Sequence, residues 1–393
     1  MAVASPPATP PQQVSPKRNW FRWANLQEHL TGYLFIAPAV LLVSMFGFFP
    51  MGYAFYLSLR RWRVVDRGFI GLSNYEKALG DYFGALLFAG GIALLLVALL
   101  LRRRMVDNRE SRPLYLVGMP LAVTIAGLIA IPFGWGRMMA AGDDDFLTSI
   151  PVTFYYAIGS VPIQLAIALV LAYILFQKIR GQELFRMIFF LPYVTPVIAT
   201  ALVFRTIFGV RDTSIANRFL TALGWEPQKW LFESKPFVEV MFGWQVEGFF
   251  AGPSMALVAI IMFGIWTYVG YNTVIFLAGL GSIPTDVYEA AEIDGAGQWQ
   301  LFRYITVPLL SPVTFYLSLI GFIGTFKAFN HIFVMMQPSA QDSVITASVS
   351  IFNTFYKGSQ FGYASTQAIL LLGIILFLTY AQNKIFGERV FYG

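Results

Sequence analysis

Along most of this chain apolar residues do not alternate with polar ones; they gather into blocks of about twenty. A helix of that length rises about 30 Å and crosses the hydrocarbon core of a bilayer. Eight such blocks can be read, at roughly 33–59, 84–101, 114–133, 152–176, 185–208, 254–280, 309–333 and 366–386. They predict an all-α fold, a polytopic membrane helical bundle of about eight transmembrane helices. Leu191-Pro192 and Thr195-Pro196 fall inside the fifth block and predict a kink with freed carbonyls. Residues 1–16 are rich in Pro, Ala and Gln without an apolar run, and predict a disordered tail. The first apolar block starts near Tyr33 and runs too long for a cleavable signal peptide.

The polar interruption between the sixth and seventh blocks is longer than a turn requires. Pro284 precedes a helix-compatible stretch, Gly295 breaks it, and a second amphipathic stretch ends at Pro308. That spacing predicts a short helix, a turn and another short helix lying outside the lipid. An element of this kind is suited to being gripped by another chain.

Charge orients the spans. Lysine and arginine concentrate in loops on the cytoplasmic side. Lys17, Arg18 and Arg22, then Arg102, Arg103, Arg104, Arg109 and Arg112, then Lys178 and Arg180, and finally Lys384 and Arg389 place both termini and the corresponding loops inside. Asp143, Asp144 and Asp145 suit an outside loop, and alternation puts 209–253 and 334–365 outside and 281–308 inside. Arg60, Arg61 and Arg63 break the rule on the outer side, where snorkelling from the end of the first span accommodates them. The chain then divides into a disordered cytoplasmic tail and lead-in at 1–30, a first span and outer loop at 31–83, an inserted two-span segment at 84–146, and a core at 147–393.

Composition narrows the function. Of 393 residues 57% are hydrophobic and 12% charged, about half the charged share of a soluble domain. The net charge of +6 sits at span ends, not on a basic face interleaved with aromatics, so nucleic acid is not an expected partner. With no cysteine, disulfide and thiolate chemistry are excluded. His29 and His331 are far apart, form no local metal motif, and read as polar residues at helix ends. No metal site is expected; Asp143–Asp145 reads as a solvated run of charge. No Gly-rich loop ends in Gly-Lys-Ser/Thr, so any ATP is bound by another chain. No acid/base or nucleophile cluster suggests an enzyme.

Ionisable groups inside spans are few and each carries a hypothesis. Arg205 lies near the outer end of the fifth span. Lys327 lies about 27 Å along the seventh at 1.5 Å per residue, and either snorkels or faces a water-filled path. Asn330, three residues on, shares its helix face. In the sixth span Tyr268 and Tyr271 share a face next to Trp266 and Asn272. Such rings stack on sugars or simply pack; spacing alone leaves both readings open.

Glu289-Ala290-Ala291, three residues, Gly295, nine residues, then Ile305-Thr306-Val307-Pro308 resembles the EAA loop of ABC-importer permeases, with Val307 in place of leucine. Ile283-Pro284, Ile293-Asp294-Gly295-Ala296, Gly71-Leu72-Ser73-Asn74-Tyr75, Phe189-Phe190-Leu191-Pro192, Ile275 to Leu280 and Gly362-Tyr363-Ala364 are similar to the carbohydrate-uptake branch, the maltose- and glycerol-phosphate-type permeases. The resemblance covers most of 30–80 and 146–386. It implies a type I importer permease that forms half of a translocation path with a second homologous permease. Two ATPase subunits would hold ATP and Mg and take the loop at 281–308, through Glu289, Ala290, Ala291, Asp294, Gly295, Ile305 and Pro308. An extracytoplasmic solute-binding protein would deliver a sugar at the outer face of the inner membrane. Tyr268, Tyr271, Asn272, Lys327 and Asn330 are then the expected substrate-path residues, and Lys327 admits an anionic sugar. Two departures stand out. About 60 residues at 84–146 are inserted relative to six-span members, and Lys327 and Asn330 stand where the family often has a glutamine and an acid. The competing class is an ion-coupled secondary carrier, but its spans would need a mid-membrane acid, and these have almost none.

Overall fold

The computed structural model describes residues 23–107, 114–177, 180–246 and 248–387, which fall into two units, one ending at Tyr53 and the other beginning at Ala54. The tail at 1–22 lies outside the described residues, as do Arg109, Arg112, Lys178 and Arg389 and the side chains of His29, Arg103 and Arg104. The first span, Leu30–Ser58, combines α1 (Trp23–Val43), a π-helical turn at Ser44–Phe48 and α2 (Phe49–Ser58).

The second unit opens with an antiparallel hairpin, β1 (Arg60–Trp62) and β2 (Asp66–Phe69), followed by α3 (Ser73–Leu79). The outer loop read at 59–83 is therefore folded, and the all-α description is amended by this one hairpin among the described residues. Two distant sequence words meet here. The buried Asn74 amide donates to the Ser58 carbonyl (2.8 Å) and to that of Arg60 (3.1 Å). Thr366 donates to the same Ser58 carbonyl at 3.2 Å. The residues Gly71–Tyr75 and Gly362–Ala364 thus bracket the end of the first span.

Helices α4 (Tyr82–Asp107) and α5 (Leu114–Ala141) form the inserted pair. They pack mainly on each other, with Gly84, Gly91, Gly127 and Gly134 along the contact. Lipid tails are as apolar as leucine, so close van der Waals approach, not water exclusion, holds such a pair. At one end of the pair Asp81 pairs with Arg137 and caps α4 through the Phe83 N–H. The Arg137 hydrogen bond holds the Asp81 carboxyl below the usual carboxylate range.

Helix α6 (Asp144–Phe176) is much longer than the span read at 152–176. Asp143 is its N-cap, accepting from the Phe146 N–H (3.0 Å) and from the Tyr363 hydroxyl (2.6 Å). The acidic run is solvated at Asp144 and Asp145, as read, but it is a helix start and not a loop, where carboxylates satisfy orphan donors and the positive end of the helix dipole. Helices α7 (Gln182–Val194) and α8 (Val197–Ile207) meet at 95°. The cause is the expected one: Pro196 has no N–H for the Pro192 carbonyl, and the Thr195 hydroxyl supplies a donor at 2.7 Å. Short helices α9 (Ile215–Ala222) and α10 (Phe237–Phe242) occupy the next loop.

Helix α11 (Met255–Gly281) is capped by Ser254 and is the most buried span. It leads through α12 (Thr285–Ile293), α13 (Gln298–Gln300), a π-helical turn and α14 (Val307–Leu309) to α15 (Ser311–Phe326). Then come α16 (Asn330–Met335), α17 (Ala347–Phe352) and α18 (Phe361–Phe386). The core lies where α6 meets α11 and α15, around Val161, Phe276, Leu280, Leu310 and Leu317. A second cluster joins α6, α8, α11 and α16 through Tyr156, Ala201, Phe263 and Ile332. Among the described residues six helices are long and apolar enough to span by themselves, and the bent pairs 182–207 and 298–326, each counted as one span, bring the total to eight.

Candidate functional site

The polar interruption folds as its spacing predicts. Helix α12 ends where Gly295 takes φ +84°, a left-handed conformation that a Cβ makes costly. The Ala296 N–H donates to the Ala291 carbonyl (2.9 Å) and the Gly295 N–H to that of Glu292 (3.0 Å). These two bonds are a Schellman cap and fix the angle between the two short helices. Gln300 reaches back to the Gly297 N–H at 2.7 Å and starts the second helix. Its far end is tied inward: the Tyr288 hydroxyl meets the buried Thr306 hydroxyl at 3.1 Å, and Leu301 and Leu310 are buried. Tyr173, on α6, hydrogen-bonds Gln298 (3.2 Å) and packs its ring on Phe302.

The outward side of the loop is exposed. Glu289, Ala290, Asp294, Gly295 and Pro308 are exposed, and Ala291 and Ile305 half-buried. Ile293 is 86% exposed and Trp299 and Tyr304 71% each. A monomeric soluble surface rarely offers three such side chains together on an element outside the spans. Asp294, Gly295, Ala296, Gln300, Tyr304 and Ile305 line a shallow pocket of about 230 Å³.

The intramembrane candidates divide. Tyr268 and Tyr271, midway along α11, both meet Tyr193 at the end of α7, with ring centroids 5.9 and 4.5 Å away. Tyr193 was not singled out by sequence, because nothing local links it to α11; its place between Pro192 and Thr195, at the kink, was the available signal. Gly270 allows this approach: a Cβ there would lie 1.7 Å from the Phe189 carbonyl oxygen. Asn272 is buried at 5% exposure.

Lys327 and Asn330 depart from expectation. Helix α15 stops at Phe326, Lys327 is its C-cap, and a new helix starts at Asn330. The two residues therefore do not share one helical face, and the span read at 309–333 is not one rod. Both are exposed, and among the described residues no hydrogen bond joins either to the tyrosines. His331 does lie at a helix end, second in α16, but it is buried there at 6% exposure, its Nε2 2.7 Å from the Tyr156 hydroxyl. Arg205, in the last turn of α8, donates from Nε and Nη2 to the Gln337 amide oxygen at 2.9 and 3.0 Å.

Residues 164–392 match the family described as binding-protein-dependent transport system inner membrane component. The arabinooligosaccharides transport system permease of Halalkalibacterium halodurans is 30% identical over 271 residues, 68% of this chain and 78% of that protein. The lactose transport system permease of Rhizobium radiobacter is 30% identical over 65% of this chain and 81% of its own length. Among solved structures, a bacterial ABC transporter involved in import of the acidic polysaccharide alginate aligns with TM-score 0.59 at 16% identity, covering 93% of this chain and 98% of that one, so the fold is shared. These likenesses do not favour an ion-coupled secondary carrier. With an apolar multi-pass bundle carrying a two-helix loop outside its spans, the chain belongs to the family of binding-protein-dependent transport system inner membrane components, the permease subunits of ABC importers.

Proposed function

We propose that this permease carries a sugar across the inner membrane, as half of a translocation path shared with a second homologous permease. A solute-binding protein delivers the sugar outside, and two ATPase subunits bind ATP and Mg and drive the cycle from the cytoplasm. Both termini then lie inside. The single observation that carries the reading is the loop at 281–308. It is a hinged helix pair fixed to two core spans at its base and presents exposed Ile293, Trp299 and Tyr304 outward. Apolar and aromatic anchors of this kind dock into a partner's pocket. Glu289 and Asp294 add charge at the rim, Ala290 and Ala291 permit close backbone approach, and Ile305 and Pro308 lie in the last turns of the second helix, which runs to Leu309 before the bend into α15. Because the loop joins α11 directly to α15, tilting it moves both.

The substrate path is placed beside α11. Tyr193, Tyr268 and Tyr271 offer ring faces and hydroxyls, Asn272 an amide, and Lys327 and Asn330 exposed donors at the break after α15. Sugars need this mixture of flat apolar faces and hydrogen-bonding groups. The relatives that support a sugar are the arabinooligosaccharide and lactose permeases.

The test is uptake by proteoliposomes holding the complete complex. ATP-dependent sugar entry is expected, and Tyr271→Phe should raise the half-saturating sugar concentration about two- to twelvefold, one lost hydrogen bond, with assembly unchanged. Uptake driven by an ion gradient without ATP removes the reading. Sugar bound beyond side-chain reach of all six path residues removes the path and leaves the coupling loop standing.

A further inference from the structure

The hairpin after the first span holds a second site. Arg60, Arg61, Arg63, Arg67 and Lys77 line a pocket of about 410 Å³ together with Trp62, and no carboxylate lines it. Asp66 pairs with Arg60 at 2.8 Å. Among the described residues Arg61, Arg63 and Arg67 have no acidic partner, and Lys77 meets only the Gln360 amide (3.3 Å) and the Tyr363 ring (3.9 Å). The Arg60 Nε is buried without a hydrogen bond. Four arginines and a lysine around one concavity repel one another unless an anion joins them. Guanidinium forks match phosphate oxygens two at a time.

Depth decides which anion. The first span ends at Ser58, the second begins at Tyr82, and α18 begins at Phe361. All three ends surround the pocket, since Thr366 holds Ser58 and the Tyr82 hydroxyl donates to the Leu72 carbonyl at 3.0 Å. The pocket therefore sits at headgroup level, on whichever side of the membrane this loop lies. The hairpin tip agrees: Val64 is 77% exposed, Val65 68% and Phe69 73%. Apolar side chains beside a cationic cluster, at the mouth of three spans, suit the boundary between acyl chains and headgroups.

We propose that this pocket binds the phosphate of an anionic phospholipid headgroup, with Arg61, Arg63 and Arg67 closing on it and Val64, Val65 and Phe69 set among the acyl chains. The site accounts for the arginines that break the charge rule of membrane loops. They are matched by lipid phosphate instead of by topology. The inference is independent of the transported substrate.

Native mass spectrometry of the delipidated complex, offered equimolar phosphatidylglycerol and phosphatidylcholine, tests it. Preferential retention of phosphatidylglycerol is expected. The triple change Arg61→Gln, Arg63→Gln, Arg67→Gln should cut that retention about a hundredfold, the sum of three cationic contributions near a membrane surface. The corresponding triple lysine variant keeps the charge but not the paired guanidinium contacts, so it should retain more lipid than the glutamine triple and less than wild type, which separates charge loss from misfolding. Equal retention of the two lipids, unchanged binding in the glutamine triple, or a loss in the lysine triple as large as in the glutamine triple overturns the proposal. So does displacement of the lipid by millimolar inorganic phosphate, which would make this a free-phosphate site. A glutamine triple that keeps its lipid but no longer docks an acidic solute-binding protein assigns the patch to protein docking and also overturns it.

Discussion

Substitution of Gly295 isolates the geometry of the proposed coupling loop from its chemistry. At φ +84° the residue closes the Schellman cap, and a Cβ built there meets nothing within 4 Å. Alanine therefore costs only the left-handed backbone conformation, about 1–2 kcal/mol, or a five- to thirtyfold loss of the correct turn. Asparagine visits that conformation more readily and should cost less. Proline is incompatible twice over: its φ is locked near −65°, and it deletes the N–H that reaches the Glu292 carbonyl at 3.0 Å. Both cap bonds then go, each contributing about 0.5–1.5 kcal/mol. That leaves nine-residue α12, too short to be stable alone, without a fixed angle to the second helix. The assay is paired ATPase and uptake measurement on the reconstituted complex. The expected order of sugar uptake per ATP hydrolysed is wild type, then Asn, Ala and Pro, with membrane insertion unchanged. If alanine and asparagine behave alike, or proline retains normal coupling, the angle set by Gly295 is not what transmits movement.

Three further changes test the packing. Gly270→Ala places a Cβ 1.7 Å from the Phe189 carbonyl and should lower thermal stability in detergent by at least the 1–3 kcal/mol typical of overpacking, whereas Gly373→Ala, with open space around it, should be nearly neutral. Tyr156→Phe strands the buried His331 ring nitrogen and should cost about 1–3 kcal/mol; Tyr156→Phe with His331→Leu should recover part of it, measured by the same melts. Because the Asp81 carboxyl is held below the ordinary carboxylate range, its contribution is present above the unfolded value and fades as pH falls through the folded one. Asp81→Asn should therefore be less stable than wild type at neutral pH, the gap beginning to close as pH falls below about 4 and vanishing only below the folded value in a pH series of melts.

Sequence by itself determined the class of this protein and the form of the loop at 281–308. Blocks of about twenty apolar residues permit little but membrane helices, because the backbone must satisfy itself in lipid. Pro284, Gly295 and Pro308 punctuate the loop locally, so its helix, turn and helix were legible, as was the kink at Pro192 and Pro196. Tertiary structure decided what depends on residues far apart in the chain. Tyr193 joins Tyr271 only because α7 bends and Gly270 lets it approach. Asp143 reads as a loop acid until Tyr363 is brought to it from the last span. Lys327 and Asn330 share a face in an ideal helix, but the chain breaks between them, without a proline to announce it, and His331 turns inward to Tyr156. The arginines at 60–67 were an anomaly of charge in one dimension. Folded against Lys77 and α18, they become a pocket, because electrostatics acts through space and not along the chain.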